Sequence, residues 1–216
     1  MKKRMLIFFG APGVGKGTQA AIISSKLNIP HISTGDILRD AICKENTLGL
    51  EAKKFTDKGE LVPDDIMVKL VEEVLNEDRC KNGFILDGFP RTVKQAEILQ
   101  PIIEKISDDK VEIISLEADD EIIINRLTQR RTCKICKTIV NLDLLEDDSV
   151  CPNCGSKNSL IKRKDDEVDV IKNRLNIFHN ATSPVLDFFE KNTIVHKIDG
   201  TLSVDEITKR ILECIS

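Results

Sequence analysis

MLIFFGAPGVGKGT, residues 5–18, joins an apolar run to a glycine-rich turn that carries a lysine. The run at 5–9 offers no polar residue to water, so it reads as a strand covered on both faces, the kind found inside a parallel sheet. Glycines at 10, 13, 15 and 17 remove the side chains that would hold a backbone away from an anion. TQAAIISSKL, residues 18–27, continues as a helix whose free N–H groups and positive dipole end face the same place. Lys16 adds a full charge. Strand, turn and helix in this order make a phosphate cradle from Gly13, Val14, Gly15, Lys16, Gly17 and Thr18. One position departs from the usual form. Gly17 stands where Ser or Thr normally gives Mg2+ a hydroxyl, so that ligand is displaced to Thr18 or absent. Asp87, at the end of a later strand, is a candidate to help hold the ion; the alternative is an aspartate that caps the turn before Gly88.

Four further runs read as strands: IPHIS (29–33), GFILDG (83–88), VEIISLE (111–117) and TIVHKI (193–198). Between them lie helical patterns at 64–75, 95–103, 118–130, 169–178 and 203–215. In the first of these, Ile66, Leu70, Val71, Val74 and Leu75 share one face. Pro101 leaves the end of the 95–103 helix open. Alternating strands and helices predict an α/β fold on a five-stranded parallel sheet. Two segments break the rhythm. Residues 33–62 are polar and mostly helical, and residues 131–166 are rich in Cys, Lys and Asp with little apolar content. Both read as insertions on the core sheet.

The chain has 216 residues, 41% hydrophobic and 31% charged, which suffices for one packed domain with a small addition. It has no Trp or Tyr, so the core rests on Leu, Ile, Val and Phe. A net charge of −4 argues against a general nucleic-acid or membrane binder. The apolar run after MKKR ends at Gly10, too short for a secretory signal core, and no stretch approaches a membrane span. Seven cysteines, an odd number, fit a reducing cytoplasm better than a disulfide framework.

Four of the seven fall into two Cys-x-x-Cys pairs, Cys133/Cys136 and Cys151/Cys154, with fourteen residues between the pairs. Four thiolates fill a tetrahedral shell and leave no open position for water, so the site reads as structural, holding together a segment too small to bury its own core. Zinc and iron both use this spacing. A knuckle flanked by Lys134, Lys137, Lys157, Lys162 and Arg163 also admits a nucleic-acid reading, which the lack of aromatic residues for base stacking disfavours.

GAPGVGKGTQA (10–20), STGDILR (33–39) and DGFPRT (87–92) with Gln95, in this order, resemble the adenylate kinase family. The likeness continues through Arg126, Arg130, RKDD (163–166), Arg174 and Asp199-Gly200, nearly the whole chain. It implies a P-loop core (1–32, 63–128 and 167–216), a helical insertion at 33–62 that binds the nucleoside monophosphate, and a zinc-knuckle lid at 129–166. It implies reversible phosphoryl transfer from Mg-ATP to AMP giving two ADP. By resemblance, residues 13–18, Arg126 and Arg130 contact ATP, with Ile139, Val140 and Leu202 near its base. Thr34, Arg39, Glu60, Leu61, Val62, Gly88, Phe89, Pro90, Arg91 and Gln95 hold AMP. Arg163 and Arg174 reach across to the transferring phosphates. Lys16, Arg91, Arg130, Arg163 and Arg174 carry the catalysis, Asp87 holds Mg2+ through water, and the four cysteines hold Zn2+. Two positions depart: Ile139 and Val140 stand where the family often has an aromatic, and Leu202 where a Lys often follows. Thr34 and Gln95 match the AMP-selecting pattern; another monophosphate, or GTP as donor, is the alternative. The expected partners are ATP, AMP and ADP, with no nucleic acid or membrane, in a cytoplasmic monomer.

Taken singly, each arginine also reads as a solvated surface charge; Arg126 and Arg130 lie four apart on one helix near Glu121.

Overall fold

The computed structural model describes residues 3–45, 47–106 and 110–216. Residues 1, 2, 46 and 107–109, which fall within the expected core and insertion, lie outside them. β1 (Arg4–Phe9) is the centre of the architecture. Its Met5, Ile7 and Phe9 point into one apolar cluster, and its Leu6 and Phe8 into another. Period-two alternation with both faces covered explains why the run is continuously apolar. The cradle then leads into α1 (Lys16–Leu27).

The chain continues through β2 (His31–Ser33), α2 (Thr34–Cys43), α3 (Thr47–Thr56), α4 (Asp64–Leu75), β3 (Gly83–Asp87) and α5 (Val93–Ile106). β4 (Glu112–Glu117), α6 (Asp120–Gln129), β5 (Arg130–Cys133), β6 (Ile139–Asn141) and β7 (Leu160–Ile161) follow. Then come α7 (Val168–Ile177), α8 (Pro184–Asn192), β8 (Ile194–Asp199) and α9 (Val204–Cys214). The main sheet has the order β2-β3-β1-β4-β8, and all four pairings are parallel. Ala20 and Ile23 of α1 and Ile207 and Ile211 of α9 cover one face. Leu70 and Val71 of α4, Leu99 and Ile103 of α5, and Val185 and Phe189 of α8 cover the other. The chain leaves β1 for β2 on one side and later returns to β4 on the other. That reversal opens a crevice at the carboxyl edge of the sheet, where such folds take ligands.

The five expected strands form. Three features of the structure lay outside the expectation. The helix expected over 95–103, its end left open by Pro101, runs from Val93 to Ile106. α8, preceded by the π-helical turn Phe178–Thr182, had no place among the expected helices; its signals are Pro184 in the first turn and buried Val185 and Phe189 four apart. The cysteine-rich segment carries a second, antiparallel sheet in the order β6-β5-β7. Its strands are two to four residues long, too short for alternation to show in the sequence.

Candidate active site

Gly10 and Gly13 need their missing side chains. At φ 136° a Cβ on Gly10 would sit 2.3 Å from the carbonyl oxygen of Leu116, and one on Gly13 2.6 Å from Leu127 Cγ. The cradle therefore closes against β4 and α6. Lys16 folds back over it, donating from Nζ to the carbonyls of Gly10 (2.7 Å) and Ala11 (2.8 Å). Gly17 has a specific neighbour: a Cβ there would lie 3.3 Å from Asp87 Oδ2. The Asp87 carboxylate thus stands beside the position where a P-loop hydroxyl would start, and it is an oxygen donor of the kind Mg2+ takes. Asp87 is 8% exposed, and its Oδ2 lies 3.4 Å from His31 Nε2, a neighbour that sequence reasoning missed. Its backbone carbonyl accepts from Thr34 Oγ1 at 3.2 Å.

The turn after β3 is tightly built. Gly88 has φ 84°, and a Cβ there would press on Thr34 Oγ1 at 2.8 Å. The Phe89–Pro90 peptide is cis. Arg91 Nε donates to the Gly88 carbonyl at 2.7 Å, and the Arg91 N–H donates to Gln95 Oε1 at 2.7 Å. Thr182 Oγ1 donates to the Arg91 carbonyl at 2.9 Å. Gln95 Nε2 donates to Asp64 Oδ1 at 2.6 Å. Asp64 and Thr182 carry no motif, and nothing in the sequence flags them. In the 60–62 segment Val62 is core and Glu60 is exposed, its N–H donating to the Phe55 carbonyl at 3.0 Å. Leu61, between them, is half-buried.

The arginines meet from separate elements. Arg130 gives two bonds to the fully buried Asp166, Nε to Oδ2 at 2.9 Å and NH2 to Oδ1 at 2.6 Å. Arg174 pairs with Asp165 at 2.9 Å and lies 3.7 Å from Asp166. Arg163 Nε donates to Thr132 Oγ1 at 2.8 Å, and Arg39 pairs with Asp36 at 2.5 Å. Burial pushes the Lys16 ammonium down to about 8; Asp87 opposes this, while Arg91, Arg174 and Arg130 add to it. Burial likewise pushes Arg163 and Arg174 down to about 10 and lowers Arg91. Burial pushes Asp165 up, but Arg174, Arg130, Arg39 and Arg163 together hold it below its ordinary value. Cations crowded to the point of mutual repulsion are a site prepared for several negative charges. Arg126 stands apart from this group: its NH1 donates to the carbonyls of Gly200 (2.7 Å) and Val14 (3.4 Å), tying the loop after β8 to the cradle. Leu202 of that loop packs on the cluster beneath α1 and α9.

In the small sheet, Thr132 lies opposite Ile139 on one side and Ile161 on the other. Residues directly opposite share a face, so Ile139, Thr132 and Ile161 lie on the face that carries Arg163. Val140, opposite Arg131, points to the other face. The sulfurs of Cys133, Cys136, Cys151 and Cys154 all lie within 4.8 Å of one another. The Cys133–Cys154 and Cys136–Cys151 contacts are 3.7 and 3.6 Å. A tetrahedral site with metal–sulfur bonds of about 2.3 Å has edges of about 3.8 Å, so the donor set fits Zn2+. The two pairs are built alike. The N–H of Lys137 donates to the Cys133 carbonyl and that of Gly155 to the Cys151 carbonyl, both at 2.9 Å, and both donors have positive φ, 64° and 70°.

Among the described residues no helix is long and apolar enough to cross a membrane. A sequence model of the adenylate kinase family matches residues 8–194. An adenylate kinase of Fusobacterium nucleatum subsp. nucleatum is 45% identical over 210 residues, 97% of each chain. Adenylate kinases of Methanocella arvoryzae (97% of each chain) and Staphylococcus aureus (97% of this chain and 98% of the relative) are each 42% identical. With these likenesses spanning nearly its full length, the chain belongs to the adenylate kinase family.

Proposed function

We propose that the protein transfers the terminal phosphoryl group of ATP to AMP, reversibly, giving two ADP. Residues 1–32, 63–128 and 167–216 act as the core, 33–62 as the AMP-binding insertion and 129–166 as the lid. The observation that carries this reading is the convergence of Lys16, Arg91, Arg130, Arg163 and Arg174 in one group, where burial first and neighbouring cations second lower the proton affinities of Lys16, Arg91, Arg163 and Arg174.

The acceptor is a phosphate oxygen, already anionic at neutral pH because a phosphate monoester has a second pKa of about 6. Transfer then requires alignment and charge neutralisation and no general base. The cradle N–H groups and Lys16 hold the ATP phosphates. Arg91 and Arg39 grip the AMP phosphate with planar forks, while Thr34, Gln95, the 60–62 backbone and Gly88, Phe89 and Pro90 form the walls around AMP. Arg130, Arg163 and Arg174 take the charge of the group in transit, and the closing lid excludes water. Arg126, Ile139 and Leu202 border the donor base, while Val140, opposite Arg131, turns to the other face of β6. Mg2+ bound with ATP would offset phosphate charge, and Asp87 would hold it through water. Zn2+ on the four cysteine sulfurs keeps the lid in shape and leaves no open position for water. The seven unpaired cysteines support action in a reducing cytoplasm; action as a monomer completes the reading.

A coupled assay across four nucleoside monophosphates and four triphosphates tests the function. AMP is strongly preferred as acceptor; comparable turnover on UMP or CMP overturns the assignment.

A further inference from the structure

We infer that Asp64 is a specificity-determining positioning residue: it fixes the orientation of the Gln95 amide and so sets the acceptor preference for a 6-aminopurine over a 6-oxopurine nucleotide. This rests on the reading in which Gln95 meets the acceptor base. Gln95 is 1% exposed, in the first turn of α5. Its Oε1 accepts from the Arg91 N–H at 2.7 Å, and its Nε2 donates to Asp64 Oδ1 at 2.6 Å. Asp64 is itself held: it opens α4, and the Thr92 hydroxyl lies 3.3 and 3.4 Å from its two oxygens. That hydroxyl also accepts from the Gln95 N–H at 3.1 Å. Turning the amide over would set N–H against N–H at one end and carbonyl oxygen against carboxylate at the other.

These bonds use one of the amide's two N–H groups and one of its oxygen's two lone pairs. A donor and an acceptor remain for a ligand, in an order the protein dictates. Adenine presents the complement, an acceptor at N1 and a donor at the 6-amino group. Hypoxanthine and guanine reverse both, with N1–H as donor and the 6-oxo group as acceptor. In the same seat they meet donor with donor and acceptor with acceptor, a mismatch that buried polar sites reject strongly. An amide free to turn over would serve either base. The Arg91 N–H belongs to the backbone, so Asp64 is the side chain through which the lock can be released.

The test measures kcat/KM for AMP, IMP and GMP, the KM for ATP, and the melting curve of wild type, Asp64→Asn, Asp64→Ala, Thr92→Val and Gln95→Leu. Asn keeps the shape of Asp64 and both accepts and donates, so it removes the penalty on turning the amide over at the Nε2 end and leaves only the one at the Arg91 N–H. The AMP-to-IMP ratio is expected to fall about tenfold or more in both Asp64 variants and by a smaller factor in Thr92→Val, with the KM for ATP within about twofold of wild type. If either Asp64 variant fails to fold, the other and Thr92→Val decide by the same ratio. An unchanged ratio in the folded variants, while Gln95→Leu alters it, overturns the role of Asp64 alone. A Gln95→Leu variant with intact acceptor selectivity overturns the reading of Gln95 beneath it.

Discussion

Lys16 carries a charge into a place already crowded with like charge, and its pKa is pushed down to about 8, first by burial and then by Arg91, Arg174 and Arg130. The folded value lies below the unfolded one. The unfolded chain therefore holds more protons between about pH 8 and the ordinary lysine range, and stability rises with pH across that window, the cost being fully present below it. A polyphosphate on the cradle reverses the repulsion. ATP binding near pH 8.5 is expected to take up a fraction of a proton, read by calorimetry in two buffers of different ionisation heat. Lys16→Met should abolish that uptake. Turnover in Lys16→Met and in Arg91→Ala should fall at least about a hundredfold, on the order of 3 kcal/mol, with the fold retained. Near-normal turnover would mean the phosphates react elsewhere. Lys16 and Arg91 were legible because each sits in a short motif; Asp64 was not, because its meaning lies in the Gln95 amide 31 positions away.

At the scale of elements, the cysteine knuckle and strand β6 each make a prediction. Metal on the four sulfurs binds only the folded lid, so its removal should lower the melting temperature. The core sheet has its own apolar clusters and should stay folded. Below the new melting temperature the metal-free enzyme should keep substantial transfer activity, with more ATP hydrolysis as the lid loosens. Complete loss of transfer in a folded protein, restored by added zinc, would give the metal a part in the chemistry. Strand β6 separates two residues that looked equivalent in sequence. Ile139 shares the face of Thr132 and is 41% exposed, whereas Val140 pairs with Arg131 on the other face. Ile139→Tyr should tighten ATP binding by roughly the 0.5–1.5 kcal/mol of an aromatic contact, and Val140→Tyr should not. Equal effects in a binding titration would discard this facing. The cysteine pairs were readable from spacing, while the pleat of a three-residue strand needed its partners.

At the scale of the molecule, a buried carboxylate links the junction of α6 and β5 to α7. Asp166, fully buried, takes both bonds of Arg130, at the junction of α6 and β5, and lies 3.7 Å from Arg174 of α7. α7 in turn holds the loop before residues 60–62: Asn173 donates to the Lys58 carbonyl at 2.7 Å, and a Cβ on Gly59 would lie 2.9 Å from Arg174 Cγ. Asp166→Asn keeps the shape and removes the charge, leaving a buried guanidinium without its partner. A loss of about 3 kcal/mol is expected in denaturant unfolding, since breaking a buried pair strands the remaining charge. A change within about 0.5 kcal/mol would show that Asp165 or water compensates.

By itself the sequence determined what acts through near neighbours in the chain. The glycine cradle, the paired cysteines and the five strands, most of them continuously apolar, all follow from short-range patterns, and with them the parallel sheet. Only the tertiary structure decided which distant groups meet. Thr34 reaches the Asp87 carbonyl across 53 positions, Arg130 reaches Asp166 across 36, and Arg126 reaches Gly200 across 74. The physical reason lies in the sheet. Parallel strands bring every carboxyl end to one edge, so loops far apart in sequence share a single crevice, and the contacts there depend on register and crossover, which no local pattern records.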